Sequence, residues 1–196
     1  MGVIVVSRFD TCINKVLNFE GVFSDHPADL GGKTKYGITQ PTLSSAFKAG
    51  IVKHDNIQAL TVQEAKLIYK ANYWDRCKCD ELPAPLDFCI FDTAVNCGPA
   101  ASIKFLQIAL NKINNNNALK VDGIIGDKTM NAIKEYLARY RSDCTFPVLF
   151  LCDVFLDRRL QGYSDIVAVN SSQLVFLRGW INRILDVKKV IMDGKL

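Results

Sequence analysis

Three residues near the start of the chain have side chains suited to a hydrolytic site: the carboxylic acids Glu20 and Asp29, and Thr34, whose hydroxyl could hold a water. Apolar residues at helical spacing predict a helix from about Arg8 to Phe19, so Glu20 falls in its last turn. The negative end of the helix dipole and the apolar neighbours both disfavour a charged carboxylate there, so we expect a raised pKa for Glu20. Such a group can donate a proton near neutral pH.

A second carboxylate near such an acid could act as a base on water or stabilise positive charge, as in most glycoside hydrolases. Asp29 fits this position, and Asp25 is the alternative because it lies closer along the loop. The adjacent glycines Gly31 and Gly32 allow a tight turn, after which the Thr34 hydroxyl could hold a water. Whether cleavage retains or inverts configuration depends on the carboxylate separation, which the sequence does not supply.

The elements that must position these residues are mostly helical. Residues 22–35 are rich in Gly, Pro, Asp and Ser, which predicts a loop or short hairpin, and "YGIT" at 36–39 predicts a brief strand. Ser7 and Asp127 are candidate helix caps, and Thr61 and Glu64 form a capping-box pattern. Further helices are predicted over about 41–49, 62–74, 86–96, 99–112, 127–139, 146–160 and 172–190. The predicted class is therefore mainly α with a small β-hairpin.

Composition narrows the class of partner. The chain has 196 residues, of which 49% are hydrophobic, and this high apolar content argues against disorder. The net charge is +4 without basic runs, which argues against a nucleic-acid partner. Seven cysteines, several in apolar helical patterns, are interpreted as buried reduced thiols. Their spacing and the two isolated histidines do not suggest a metal site, and no cofactor is expected.

Localisation follows from the N-terminus and the apolar runs. "MGVIVVSRFD" has no basic region and too short an apolar run for a signal peptide. The most apolar later run, "FPVLFLCDVFL", is short and interrupted by Asp153, so no membrane insertion is expected. The sequence predicts a protein made in the cytoplasm that needs another route to any target outside it.

The order of motifs resembles that of the glycoside hydrolase family 108 muramidases, some of which carry the label secretion activator. The spacing of Glu20, Asp29 and Thr34 is also similar to that of phage-type lysozymes, whose last gap is one residue longer. The family pattern is carried by "EGVF" at 20–23, Pro27, Asp29, "GGKTKYGIT" at 31–39, "YW" at 73–74 and "FDTAVNCGP" at 91–99. "VDGIIGDKTMNAI" at 121–133 resembles the family's C-terminal peptidoglycan-binding region. Val22 and Phe23 replace the family's Gly and Tyr.

The resemblance implies a lysozyme-like fold, with a catalytic region at 1–96 and a peptidoglycan-binding region at 97–196. It implies cleavage of the β-1,4 bond between N-acetylmuramic acid and N-acetylglucosamine, with Glu20 as acid and Asp29 and Thr34 assisting. An endolysin of a phage or prophage, reaching the wall through a holin-made lesion, fits the absence of a signal peptide. A wall-remodelling enzyme that depends on a secretion system, and an inactive glycan-binding module, are the alternatives.

Six further residues are candidates for contact with the glycan strand, and all except Thr39 have a structural alternative. The aromatic residues could stack on sugars or pack in the core. Thr39 ends the predicted strand. Asp92 and Asn96, the acid and the amide in "FDTAVNC", are four positions apart and therefore share one helical face. They could anchor the hairpin or touch an N-acetyl group. The six are Tyr36, Thr39, Tyr73, Trp74, Asp92 and Asn96.

Overall fold

Helices and one small antiparallel sheet make up the computed structural model, which describes residues 7–20, 23–24, 34–140 and 145–196. The predicted mainly α fold with a small hairpin is confirmed. The chain consists of two compact units, Met1–Arg76 and Cys77–Leu196. The division predicted at residues 96–97 lies inside the second unit and stays a prediction.

The first unit begins with a helix whose start and buried face follow from its sequence. Helix α1 begins one residue after Ser7, whose Oγ accepts a hydrogen bond from the backbone N–H of Asp10 at 3.0 Å. This contact satisfies a free N–H at the helix start and confirms Ser7 as the cap. The side chains of Cys12, Ile13 and Val16 have no solvent exposure. The elements of this unit are α1 Arg8–Glu20, β1 Phe23–Ser24, β2 Thr34–Lys35, β3 Ile38–Thr39, α2 Gln40–Lys48, α3 Val62–Tyr69 and a π-helical turn Lys70–Trp74.

The capping box predicted before α3 is present in full. The Thr61 hydroxyl accepts from the Glu64 backbone N–H at 3.2 Å, and a Glu64 carboxylate oxygen accepts from the Thr61 backbone N–H at 3.0 Å. The helical path continues to Trp74, as predicted, but its last five residues form the wider π turn.

In the second unit, one helix forms the centre of the core. Helix α4 is buried at every residue from Leu86 to Ala94 and contacts α5 and α7, while α7 also contacts α5 and α8. The Ser102 hydroxyl of α5 donates to the Ile90 carbonyl of α4 at 2.9 Å, so the close helix pair has a satisfied polar contact. The elements of this unit are a 3-10 turn Cys79–Glu81, α4 Leu86–Cys97, α5 Pro99–Ile113, α6 Asp127–Ala138, α7 Thr145–Val169, a 3-10 turn Ser171–Gln173 and α8 Leu174–Met192.

A single glutamine holds the "VDGIIGD" segment as a turn before α6. The Gln107 side chain donates to Asp122 Oδ1 at 2.9 Å and to the Ile124 carbonyl at 3.1 Å, and it accepts from the Gly123 N–H at 3.0 Å. Gly123 has φ +80°, and a Cβ there would lie 2.7 Å from the Ala100 carbonyl oxygen. This position therefore requires glycine.

Three sequence predictions need correction. The "YGIT" segment is not a strand throughout, because Tyr36 and Gly37 form the turn and only Ile38–Thr39 is strand. The N-cap of α6 is Gly126 rather than Asp127, which occupies the first turn, where its charge still complements the helix dipole. Helix α7 does not end near residue 160 but continues to Val169. Buried contacts of Gly162 and Tyr163 hold this extension in the helix after the apolar pattern weakens.

The described cysteines agree with their interpretation as buried reduced thiols. No disulfide joins the described cysteines, five of which are buried. Within the described ranges, no helix combines the length and the apolar character needed to cross a bilayer.

Candidate functional site

The proposed acid lies at the end of α1. Glu20 is the last residue of this 13-residue helix, so its backbone is at the negative end of the helix dipole, as predicted. The side chain of Glu20, together with Asp25 and Asp29, lies outside the described residues. Their chemical roles therefore stay predictions.

The small sheet brings two predicted site residues side by side. Thr34 of β2 pairs with Thr39 of β3 on one side and with Ser24 of β1 on the other. Directly opposed residues in adjacent strands project to the same face. The Thr39 hydroxyl is already engaged as the N-cap of α2, because it accepts from the Thr42 N–H at 3.4 Å and lies 3.0 Å from the Thr42 hydroxyl. This contact favours a structural role for Thr39.

The hairpin turn between β2 and β3 is fixed at several points within the first unit. Tyr36 and Gly37 both have positive φ, 55° and 74°, as a two-residue turn that matches strand twist requires. The Tyr36 carbonyl accepts from the Tyr69 hydroxyl at 3.0 Å, and the Lys35 ammonium donates to the Gln58 carbonyl at 2.7 Å. The half-buried ring of Tyr36 is thus held by a backbone that has little freedom to move.

The two aromatic residues of the π turn have different surroundings. Trp74 is fully buried and meets the Phe9 ring edge-on at 5.4 Å between centroids. Tyr73 is half-buried and lies 5.7 Å from the Tyr69 ring. Burial favours the packing role for Trp74, whereas Tyr73 keeps a surface that a sugar could contact.

Asp92 is the centre of a buried ion cluster in the second unit. Its side chain has no solvent exposure, and one carboxylate oxygen accepts from Arg159 Nη1 of α7 at 2.7 Å. The other oxygen accepts from Arg183 Nε of α8, also at 2.7 Å. Asp92 therefore connects α4 to both long C-terminal helices, and this favours its anchoring role over contact with a sugar.

A chain of hydrogen bonds runs from this cluster to Asn96. Arg159 Nε donates to the Tyr163 hydroxyl at 2.8 Å, and that hydroxyl donates to Asn96 Oδ1 at 2.5 Å. Asp92 and Asn96, predicted to share a helix face, are thus joined through two residues of α7. Unlike Asp92, Asn96 is exposed, so its amide remains accessible to a ligand.

Electrostatic effects fix the protonation states of Arg159 and Tyr163 in this chain of hydrogen bonds. Burial is the largest single effect on Arg159 and disfavours its charged form, but the neighbouring groups together, with the Asp92 carboxylate foremost, outweigh burial and raise the pKa of Arg159. Burial also raises the pKa of Tyr163, which outweighs the opposing charge of Arg159. The phenol therefore remains a hydrogen-bond donor to Asn96 across the physiological pH range.

Sequence reasoning missed Arg159, Arg183 and Tyr163. A signal existed for Arg159, because it lies in the apolar pattern of α7 and a buried arginine needs an acidic partner. The choice of Asp92 as that partner, 67 positions away, required the packing of α4 against α7.

Elsewhere in the described part of the chain, no group of three or more His, Cys, Asp or Glu side chains is arranged to hold a metal ion.

Comparison with known proteins identifies the class. The family described as Glycosyl hydrolase 108 matches residues 13–98, and the one described as Predicted Peptidoglycan domain matches residues 101–185. No curated protein matches the chain. Among solved structures, SagA from Brucella abortus is 30% identical, with a TM-score of 0.71 and coverage of 94% of both chains.

The chain belongs to glycosyl hydrolase family 108, with a peptidoglycan domain C-terminal to the hydrolase segment. The family resemblance found in the motifs is confirmed. These matches support a glycoside hydrolase that acts on peptidoglycan.

Proposed function

We propose that the protein is an N-acetylmuramidase, which hydrolyses the β-1,4 bond between N-acetylmuramic acid and N-acetylglucosamine. The observation that carries the proposal is the family match over residues 13–98, which contains Glu20 at the end of α1. The adjoining peptidoglycan domain supports the same polymer as substrate.

Glu20 is the proposed general acid. Its proton passes to the glycosidic oxygen as the bond to the anomeric carbon breaks, and a water supplies the hydroxyl that replaces the leaving sugar. Because the helix dipole disfavours a carboxylate at the end of α1, Glu20 can remain protonated closer to neutral pH than an ordinary glutamate.

Asp29 is the proposed second carboxylate, with Asp25 as the alternative. It either removes a proton from the attacking water or stabilises the oxocarbenium-like transition state. Thr34, in the central strand of the sheet, is proposed to orient that water, and Tyr36 and Tyr73 to contact the glycan strand.

The test compares reducing-sugar release from purified peptidoglycan by wild type, Glu20→Gln and the control Glu135→Gln. Glutamine preserves size but cannot donate the acid's proton, so we expect Glu20→Gln to lose about 10²–10⁴-fold in rate. Glu135 lies on the exposed face of α6, and its variant should retain activity. Far-UV circular dichroism establishes that all three fold.

Equal rates for wild type and folded Glu20→Gln would contradict the assignment of the acid. A folded wild type that binds peptidoglycan without releasing reducing ends would instead indicate a glycan-binding module.

For the biological role we propose an endolysin that reaches the wall through a holin-made lesion. Co-expression with a holin should lyse the host, whereas Glu20→Gln with the same holin should not. Lysis by the variant would contradict this role. Activity that requires a secretion system would support the wall-remodelling alternative.

A further inference from the structure

A small pocket in the second unit is lined by none of the residues to which the mechanism assigns chemistry. Its walls come from α4, α5, α7 and α8, and its volume is about 180 Å³. At about 30 Å³ per water, this space corresponds to roughly six waters, enough for an acetamido group and part of a sugar ring. We name it the α8 pocket; its lining includes Asn96, Ala101, Phe105, Tyr163, Ile166 and Trp180.

One wall of the α8 pocket belongs to a row of stacked aromatic rings. The Trp180 ring lies 4.8 Å from the Tyr163 ring at an interplanar angle of 24°, and 6.0 Å from the Phe176 ring at 28°. Trp180 is half-buried and Phe176 is 54% exposed. Rings held in this way present rigid apolar surface to a ligand at little conformational cost.

The polar groups of the pocket include the Asn96 carboxamide, the Tyr163 hydroxyl and the Cys97 thiol, and the last two both contact the carboxamide oxygen. This oxygen accepts from the Tyr163 hydroxyl, which is itself held by Arg159. An amide whose oxygen is fixed has its NH₂ group available as a donor. An acetamido group complements this arrangement, because its carbonyl can accept from the NH₂ while its methyl contacts the apolar wall.

Charge narrows the choice of ligand further. None of the described residues that line the α8 pocket carries a formal charge. A charged peptide-stem group would lose hydration there without gaining an ionic partner, which is unfavourable. An uncharged N-acetyl sugar has no such cost, and apolar walls with a few placed polar groups are typical of small-molecule sites.

We propose that the α8 pocket binds an N-acetylhexosamine unit of the peptidoglycan glycan strand. The inference rests on the proposed function for the identity of the polymer, and goes beyond it by assigning the binding site. It agrees with the match of residues 101–185 to a peptidoglycan domain, a segment that contains the α5, α7 and α8 walls.

The experiment measures co-sedimentation with purified peptidoglycan in the Glu20→Gln background, in which the polymer should stay intact. Trp180→Ala removes the aromatic wall. Ala101→Leu fills the pocket without removing any aromatic ring. Weaker binding by this variant would therefore not be explained by lost aromatic packing. Phe150→Ala is the matched control, since Phe150 is also an exposed aromatic, 43% accessible, but lies outside the pocket.

We expect Trp180→Ala and Ala101→Leu to bind peptidoglycan at least about tenfold more weakly than the parent, a change of about 1.4 kcal/mol. Phe150→Ala should bind as the parent does. A soluble tetramer of β-1,4-linked N-acetylglucosamine should bind the parent in calorimetry and bind Trp180→Ala more weakly. Thermal unfolding establishes that each variant is folded.

Parent-like binding by both folded pocket variants would overturn the assignment while leaving reducing-sugar release by wild type as support for the hydrolase. Weakened binding to peptidoglycan without any binding of the sugar tetramer would overturn the choice of ligand. If wild type fails to cleave but binding of both polymer and tetramer depends on Trp180, the hydrolase proposal fails and the pocket assignment stands.

Discussion

Replacing Asp92 with asparagine should destabilise the second unit more than any surface charge substitution. The carboxylate is fully buried and accepts 2.7 Å hydrogen bonds from Arg159 and Arg183, whose side chains are 0% and 10% exposed. The neutral amide would remove the negative charge that Asp92 supplies to both guanidinium groups. Breaking a buried ion pair in this way typically costs about 3–5 kcal/mol. For a chain of this size, that is a fall in melting temperature of roughly 6–20 °C.

The assay is urea unfolding followed by far-UV circular dichroism and by tryptophan fluorescence, since Trp180 lies in the same unit. Asp165→Asn is the matched control, because it removes an exposed carboxylate that pairs with Arg158 on the same helix as Arg159. Solvent screens that pair, so its variant should differ little from wild type. A loss of stability in Asp92→Asn as small as that in Asp165→Asn would refute the reasoning.

A second substitution separates charge from packing. In the double variant Asp92→Asn/Arg159→Met, the more deeply buried cation is also removed, and Arg183 retains some access to water. Buried ion pairs replaced by apolar groups of similar volume are often close to neutral in stability. We therefore expect the double variant to be more stable than Asp92→Asn alone. A double variant that is less stable by the sum of both single changes would show that packing, not charge, dominates.

Two further predictions concern helix chemistry. Gly179→Ala should stabilise the protein by up to about 1 kcal/mol in urea unfolding, since its Cβ would meet open space on α8. Gly162→Ala should lack this gain, because its Cβ would lie 2.7 Å from the end of the Phe105 ring; equal gains at both sites would contradict the packing argument. The capping hydrogen bonds from Thr61 lower the pKa of Glu64 below its ordinary value of 4.5. The ionised Glu64 carboxylate therefore stabilises the fold at pH values above 4.5, and this stabilisation is lost as the pH falls through the lowered pKa. The advantage of wild type over Glu64→Gln should therefore be measurable at pH 7 and shrink below pH 4.5, and a constant difference would contradict it.

Local chemistry made much of the helical framework predictable. The Thr61–Glu64 capping box depends on residues three positions apart, and the structure contains both of its hydrogen bonds. The cap at Ser7 follows from similar short-range contacts. Such features need no knowledge of tertiary packing, since the interacting groups are already neighbours in the chain.

Features set by packing were not predictable in the same way. The sequence indicated that Asp92 and Asn96 share one helical face, but not that α7 and α8 each supply an arginine to Asp92. Similarly, α7 extends beyond the end predicted from its apolar pattern, and tertiary packing buries Gly162 and Tyr163 in this extension. In the candidate catalytic site, the motif indicated Glu20 and Asp29, whose separation depends on how the intervening loop folds.

The position of Asp92 limits how this protein can be divided and recombined. The carboxylate belongs to the segment matched by the hydrolase family, whereas both arginines belong to the segment matched by the peptidoglycan domain. A chimera joined between residues 98 and 101 would keep either Asp92 or the two arginines, but not both. The retained charge would then be buried without the opposite charge that neutralises it in this protein. A junction near Arg76 and Cys77 would keep the cluster intact. The unit that can be exchanged between relatives is therefore larger than the peptidoglycan domain, and α4 has to be transferred with it.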